Sequence, residues 1–537
     1  MKQAVQLLAA GLALSWCVNV RLPAATPVSA WLSPSADIAV LLAVLALFGP
    51  GKLRVWSWLC CATLLSVRVA RIADGVCERY LDRRFHLAVD LPLLPEFVRL
   101  AISTLGPLRF ALALSTLALG LALLWWVLRE SLQLLTHALA EPRFGDHYLI
   151  AAGALALLGP YVAPSGSFYT GYVTPRVLGE LEQWLTARGW FDDPARAEQR
   201  KQFEQRFSVG QQQLSEAAKR LQGPGVDVHL LLVEAYGRTV QSTPLYAQQL
   251  APSYQAFADQ IAAAGFSVCT SFVRATILGG SSWLTHATIQ SGVAVYDQFE
   301  FEVLLERGQL SSLAQSFRQA GYRSVSVKPG TTRTSPLLRI YGFDTEYTAN
   351  DLDYRGRRYA WAPMPDQFVL QRIAERELQN PVQPLFLEYA LVSSHFPFNP
   401  RPPYIDDWNS LGDGSVFNRM PALDYDTDEV GVFAYPLGYL DSLRYELRVI
   451  GTFLGEHVRD DALVIIVGDH QPVGPVAGGD QSRYTPLHAL TRRAALLDPL
   501  RARGCVPGMH GGNSEPQLTM EDLGATLLML ASQASGG

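Results

Sequence analysis

Long apolar runs in this 537-residue chain are confined to its first third, and that asymmetry constrains the fold more than any other feature. Up to Ser165 the runs are separated by charged or proline-containing breaks, and a helix needs about 20 apolar residues to cross a bilayer. Five runs read as spans, beginning at Ala4, Ser35, Val55, Leu108 and Tyr148. The Leu108 run, LRFALALSTLALGLALLWWVL, is the longest, whereas the second opens near Asp37 and the third ends near Arg68. The first reads as a span rather than a cleaved signal peptide, because no small-x-small site follows it and further apolar runs come after. A five-helix transmembrane domain over residues 1–165 is therefore expected. Lys2, Lys52 and Arg54, and Arg129 and Arg143 then fall on one side, the cytoplasmic one by the positive-inside rule, which leaves the remainder outside.

The charge balance changes at the same boundary. The net charge of -5 divides into +4 up to Ser165 and -9 beyond it. An acidic soluble part lacks the clustered Lys and Arg that nucleic-acid binding uses to replace counterions, so no nucleic-acid partner is expected. With 49% hydrophobic and 17% charged residues, a disordered or collagen-like chain is excluded. Six cysteines are too few for a disulfide scaffold, but Cys269 and Cys505 lie in the soluble part and could pair in an oxidising compartment.

Residues 166–223 include a charged, Gln-rich, helix-periodic stretch and read as a juxtamembrane helical connector. Over 224–537 short β-branched runs alternate with helical patterns. VDVHLLLVEAYG, GFSVCTSFV, YRSVSVKPG, PLFLEYALVSSH and ALVIIVGDH read as buried strands, and LLERGQLSSLAQSFRQAGY and PLGYLDSLRYELRVIGTFLGEHV as helices. That alternation predicts an α/β domain with a largely parallel sheet. Ligands of such sheets bind at the carboxyl ends of strands, so the residues just past each run carry the functional expectation.

Those residues are Glu234 after HLLLV, Ser394 and His395 after FLEYALVS, and Asp469 and His470 after ALVIIVG. Oxygen and nitrogen donors of this kind suit one divalent ion, Zn, Mn, Mg or Ca, with a second left open. Between the first two runs, GGSSWLTHATIQSG places Ser281 and Ser282 at a helix start. A serine hydroxyl there gains the positive helix end and backbone N–H groups for phosphate oxygens, and glycines permit close approach. Lys328 and Arg333, after YRSVSV, could meet an anionic head group. His510 is a candidate substrate or second-metal residue, His286 and His488 are further candidates, and Asp366 in WAPMPDQF is a weaker one.

The order LLLVEAYGR, GGSSWLTHATIQSG, ALVSSHFPF, VIIVGDHQP resembles the alkaline phosphatase and sulfatase superfamily. Within it the sequence is most similar to membrane-anchored lipoteichoic acid synthases, phosphoglycerol transferases and phosphoethanolamine transferases, over roughly Val226 to Ser532. The resemblance implies an alkaline-phosphatase-like domain with Glu234, Ser282, Asp469 and His470 as metal ligands. It also implies Ser282 as nucleophile, with Ser281 its rival, and His395 on the phosphoryl oxygens or the leaving group. Two departures stand out: Ser where those transferases usually have Thr, and no C-x-P-S-R motif. The second speaks against ordinary sulfate-ester hydrolysis.

The expectation is an inner-membrane enzyme with a periplasmic or extracellular catalytic domain. It would move a phosphoglycerol- or phosphoethanolamine-type head group from a membrane phospholipid to a glycan or lipid acceptor through a covalent Ser282 ester. A phosphodiesterase, phosphatase or unusual sulfatase using water as acceptor is the alternative within enzymes. A non-catalytic membrane scaffold of the same fold is the alternative outside them.

Overall fold

The computed structural model describes residues 2–20, 35, 37–39, 41–42, 49–81, 85, 94–139 and 194–535, the last stretch without 309, 332–339, 360–361, 397, 399, 422–435, 478–479, 481 and 513–516. The chain divides into two compact units, Met1–Asp193 and Pro194–Gly537.

In the first unit helices α1 (Lys2–Asn19), α2 (Gly49–Leu81) and α3 (Leu94–Leu139) pack through Leu14, Val18, Cys61, Leu64, Leu128 and Leu132. Among the described residues, one helix is long and apolar enough to cross a membrane, Leu108–Ala138, and a shorter apolar helix covers Val5–Asn19. The expected count of five spans is thus not reached. The Tyr148 run and most of the Ser35 run lie outside the described residues. The Val55 run lies within α2, and its Arg68 has a structural use. Arg68 and Arg71 donate to the carbonyls of Val18, Asn19 and Val20, closing the C-terminal end of α1 with positive charge.

The second unit is built on one nine-stranded sheet in the order β4-β3-β5-β1-β6-β7-β2-β8, with β9 also on β2. The strands are β1 (Asp227–Val233), β2 (Ser267–Arg274), β3 (Arg323–Lys328), β4 (Thr345–Thr348), β5 (Leu385–Leu391), β6 (Ala462–Gly468), β7 (Tyr484–Thr491), β8 (Val506–Pro507) and β9 (Leu518–Thr519). From β4 to β6 every pairing is parallel, whereas β7 and β2 join antiparallel. β1 and β6 are buried along their whole length, as continuous apolar runs in a sheet covered on both faces should be. On one face Leu231, Val233, Leu387 and Ile466 pack under helices α5 (Pro244–Ala263), α9 (Asp366–Ile373) and α10 (Leu437–Glu456). On the other, Leu230, Leu232, Phe386 and Ile465 meet α8 (Leu313–Gln319) and α11 (Asp522–Ser535). Helix α4 (Pro194–Arg220) packs into this unit through Leu214, beside α11. Helices α6 (Ser282–Ser291) and α7 (Gln298–Arg307) belong to the same unit.

Strand order decides the placement of function. β5, β1 and β6 are neighbours, and Val233 pairs with Leu391 on one side and Gly468 on the other. Three chain segments far apart in sequence therefore end side by side. Cys269 on β2 is disulfide-bonded to Cys505, just before β8.

Candidate active site

Glu234 and Asp469 follow directly on β1 and β6, and each backbone continues the ladder: Glu234 N–H donates to Leu391 O and Asp469 N–H to Val233 O. At Ala235 the chain adopts φ +56°, a left-handed conformation that costs a residue with a Cβ about 1 kcal/mol or more. The bend turns Ala235 N–H onto Asp469 Oδ1 at 2.8 Å, and His470 N–H reaches the same oxygen at 2.7 Å. One Asp469 oxygen is thus held by two backbone donors.

Ser282 opens α6 after a turn in which Gly279, Gly280 and Ser281 all have positive φ, Ser281 at +66°. The turn delivers the Ser282 hydroxyl to Glu234 Oε2 at 2.8 Å and to His470 Nε2 at 3.2 Å. Ser281 lines the same pocket, but it is Ser282 whose hydroxyl reaches the cluster. His470 Nδ1 bonds the Gln471 carbonyl at 2.7 Å, which fixes the tautomer and leaves Nε2 facing Glu234 Oε1 at 3.3 Å. Donor atoms of Glu234, Asp469 and His470 all lie within 4.8 Å of one another, and all three residues are buried.

The electrostatics of these groups are those of a site short of positive charge. Burial alone would raise the Glu234 carboxyl, but the His395 and His470 rings and the Ser282 hydroxyl outweigh it and hold it below the usual carboxylate range. Asp469 is pushed up to about 7 by burial and by the neighbouring Glu234 charge. His470 rises to about 9, because Asp469 and Glu234 overcome the burial that opposes its charged form. Two carboxylates, an imidazole and a hydroxyl converging in this way fit a divalent cation.

The cluster opens on a cavity of about 290 Å³. His395 sits on its wall with Nε2 3.9 Å from Glu234 Oε1, while Nδ1 bonds the Phe396 carbonyl. Burial holds this ring below the ordinary histidine value, against the pull of Glu234. Ser394 does not face the cavity with a ligand atom; its hydroxyl donates to the Glu234 carbonyl at 2.7 Å and ties the β5 turn to the β1 end.

Lys328 ends β3 and also lines the cavity, with Nζ 3.6 Å from Glu388 Oε1. Glu388 is a fully buried carboxylate in the middle of β5, bonded by His286 Nδ1 at 2.9 Å and Gln290 Nε2 at 2.5 Å. His286 therefore belongs to this second polar group on the cavity wall. Glu388 is absent from the sequence-based expectation; its signal was a lone charge inside the run PLFLEYALVSSH. His510 lies apart, edge-on to Tyr254 at 5.5 Å, and is not among the residues lining the cavity. His488 is buried within β7 and bonded to Tyr236 and Thr270. Arg333 lies outside the described residues, and Asp366 is buried beneath the turn that carries His395.

Comparison with known proteins bears on this geometry. The Sulfatase family model matches residues 226–497, just over half of the chain. No curated relative matches the sequence. Among solved structures, the chain is similar to the lipoteichoic acid synthase LtaP from Listeria monocytogenes, with 15% identity over 57% of this chain and 72% of that one, TM-score 0.36. It is similar to the C-terminal periplasmic domain of EptC from Escherichia coli, with 14% identity over 58% and 83%, TM-score 0.37. It is also similar to the phosphoglycerol transferase GacH of Streptococcus pyogenes, with 12% identity over 62% and 92%, TM-score 0.35. The chain belongs to the Sulfatase family.

Proposed function

We propose that this enzyme transfers a phosphoryl-linked head group, of phosphoglycerol or phosphoethanolamine type, from a membrane phospholipid to a glycan or lipid acceptor. The observation that carries the reading is the Ser282 hydroxyl, held at 2.8 Å from Glu234 and 3.2 Å from His470 at the start of α6. The C-x-P-S-R motif of ordinary sulfate-ester hydrolysis is absent around Ser282, which stands in a GGSS turn. The two cysteines of the second unit are joined to each other in a disulfide.

A divalent cation held by Glu234, Asp469, His470 and Ser282 would supply Lewis-acid polarisation of the serine and phosphoryl oxygens. The chain's own residues account for the proton movements. Ser282 donates to Glu234 Oε2, so its proton is directed at that carboxylate and a lone pair is left for phosphorus. As the Ser282 oxygen bonds to phosphorus and the bond to the diacylglycerol oxygen breaks, His395 Nε2 gives that oxygen a proton. Because His395 Nδ1 keeps its hydrogen on the Phe396 carbonyl, the donor is the imidazolium form, which burial opposes and the neighbouring Glu234 carboxylate favours. The acceptor hydroxyl then returns a proton to His395 Nε2 and attacks phosphorus, and the released Ser282 oxygen takes its proton back from Glu234 Oε2. Lys328, on the cavity wall, pairs with the anionic phosphodiester.

Location at a bacterial inner membrane with the α/β unit outside the cytoplasm is part of the same proposal. Helix Leu108–Ala138 supports it by exposing Leu108, Leu112, Leu119 and Leu123, as a lipid-facing helix does. The Cys269–Cys505 disulfide supports it too, since such bonds persist in oxidising compartments. The test is incubation of full-length protein with phosphatidylglycerol and phosphatidylethanolamine labelled in the head group. Label should appear on the Ser282 peptide, vanish in Ser282→Ala, and pass to an added glycan or lipid acceptor. Label on Ser282→Ala, or release to water unchanged by any acceptor, would overturn the nucleophile or the transferase reading respectively.

A further inference from the structure

The turn that presents His395 is held from below by two acids that the proposed reaction does not use. Asp366, at the start of α9, is 0% exposed, and Glu446, in the middle of α10, is 1% exposed. Asp366 Oδ2 accepts the N–H groups of Val392 at 2.7 Å and Ser393 at 2.6 Å, and the Ser393 hydroxyl accepts Asp366 N–H at 3.0 Å. The other Asp366 oxygen and both Glu446 oxygens find no donor. The N–H groups of Ser393 and Ser394 lie near Glu446 without closing good hydrogen bonds to it. The two carboxyl groups meet each other instead.

Two buried acceptors in contact are tolerable only when a proton lies between them, because an unpaired buried carboxylate pair suffers both desolvation and mutual repulsion. The side that holds the proton follows from the other bonds. Asp366 already receives two N–H donors on one oxygen, the pattern of a carboxylate, so the proton is assigned to Glu446, whose O–H would satisfy Asp366 Oδ1, the oxygen left without a donor.

The consequence reaches the cavity in three steps. Asp366 fixes the N–H groups at the start of the turn; His395 N–H closes it onto Val392 O at 3.1 Å; Ser394 then ties it to the Glu234 carbonyl at 2.7 Å. We propose that Asp366 and Glu446 are positioning residues, a carboxylate and a carboxylic acid joined by one proton, that fix the 392–395 turn and so set His395 Nε2 against Glu234 and the leaving group. This rests on the reading of His395 as proton donor.

The experiment uses full-length protein in detergent and two diesters. Cleavage of phosphatidylglycerol expels an alcohol that needs a proton; cleavage of bis(p-nitrophenyl) phosphate expels a stable phenolate that does not. Asp366→Asn should lower kcat on the lipid by about 100-fold, as expected for a group displaced by ~1 Å, with KM unchanged and only a few-fold loss on the phenyl diester. Glu446→Leu should behave in the same way, and Glu446→Gln, whose amide can still donate to Asp366, should restore most of the lipid rate. Equal losses on both substrates, or a Glu446→Gln as impaired as Glu446→Leu, would overturn the proposal. Infrared spectroscopy keeps it testable if variants fold poorly or the lipid proves not to be a substrate. The wild-type protein at neutral pH should show the C=O band of a buried protonated carboxyl that Glu446→Gln removes, and a wild-type spectrum without that band would refute the shared proton.

Discussion

Glu388→Gln should destabilise the α/β unit by about 3 kcal/mol at neutral pH, and the size follows from the site. Burial works to raise the Glu388 carboxyl, yet Lys328, the His286 ring and Gln290 outweigh it and bring it from 4.5 down to about 2. At about 1.4 kcal/mol per unit that shift is worth roughly 3 kcal/mol. Removing one partner from a buried ion pair gives a similar figure, about 3 to 5 kcal/mol. The sign is fixed by the depressed value: the contribution is complete above pH 4.5 and is lost as pH falls towards 2. The gap between wild type and Glu388→Gln in urea unfolding should therefore be full at pH 7 and narrow steadily below pH 4.5. A gap under about 1 kcal/mol at pH 7, or one that stays constant on acidification, would refute the reasoning. The same variant leaves Lys328 without its carboxylate on the cavity wall, so the apparent affinity for an anionic diester should change with it.

A Cβ on Gly468 would collide with the Tyr236 carbonyl, so Gly468→Ala should push the β6 end away from β1. Its expected effect is a roughly 10- to 100-fold loss of divalent-metal affinity by calorimetry, the range seen when the support of metal ligands is disturbed. The Cys269–Cys505 bond spans 236 residues, and Cys269→Ser should cost about 2 to 5 kcal/mol of stability by denaturant titration. Thiol titration of the denatured, unreduced chain should find the four free cysteines, and all six after reduction.

The parts of this site that are readable in the sequence sit where a buried strand stops. Val233 and Gly468 end continuous apolar runs, so Glu234 and Asp469 announce themselves as polar residues at a sheet edge. The GGSS turn is readable because only a glycine-rich bend lets a serine hydroxyl approach so closely. The antiparallel flank is not readable in the same way: β7 carries Pro486 and His488, and β8 and β9 are two residues each. Glu388 and Glu446 escape notice because they lie inside a strand and a helix, where their meaning depends on what packs over them. Arg68, a break in an apolar run by composition, is in the folded unit a cap for a helix 48 residues earlier. Long-range pairing of this sort leaves no local pattern.

Glu234, Ser282, Asp469 and His470, drawn from three separate segments, are proposed to bind one divalent ion together. The direct measurement is the metal content of purified full-length protein by elemental analysis after dialysis against trace divalent cations. Close to one ion per chain is expected in the wild type and none in an Asp469→Asn, His470→Ala double variant that retains its fold. A wild-type chain that holds no ion, or a double variant that keeps it, would show that these residues do not form a metal site.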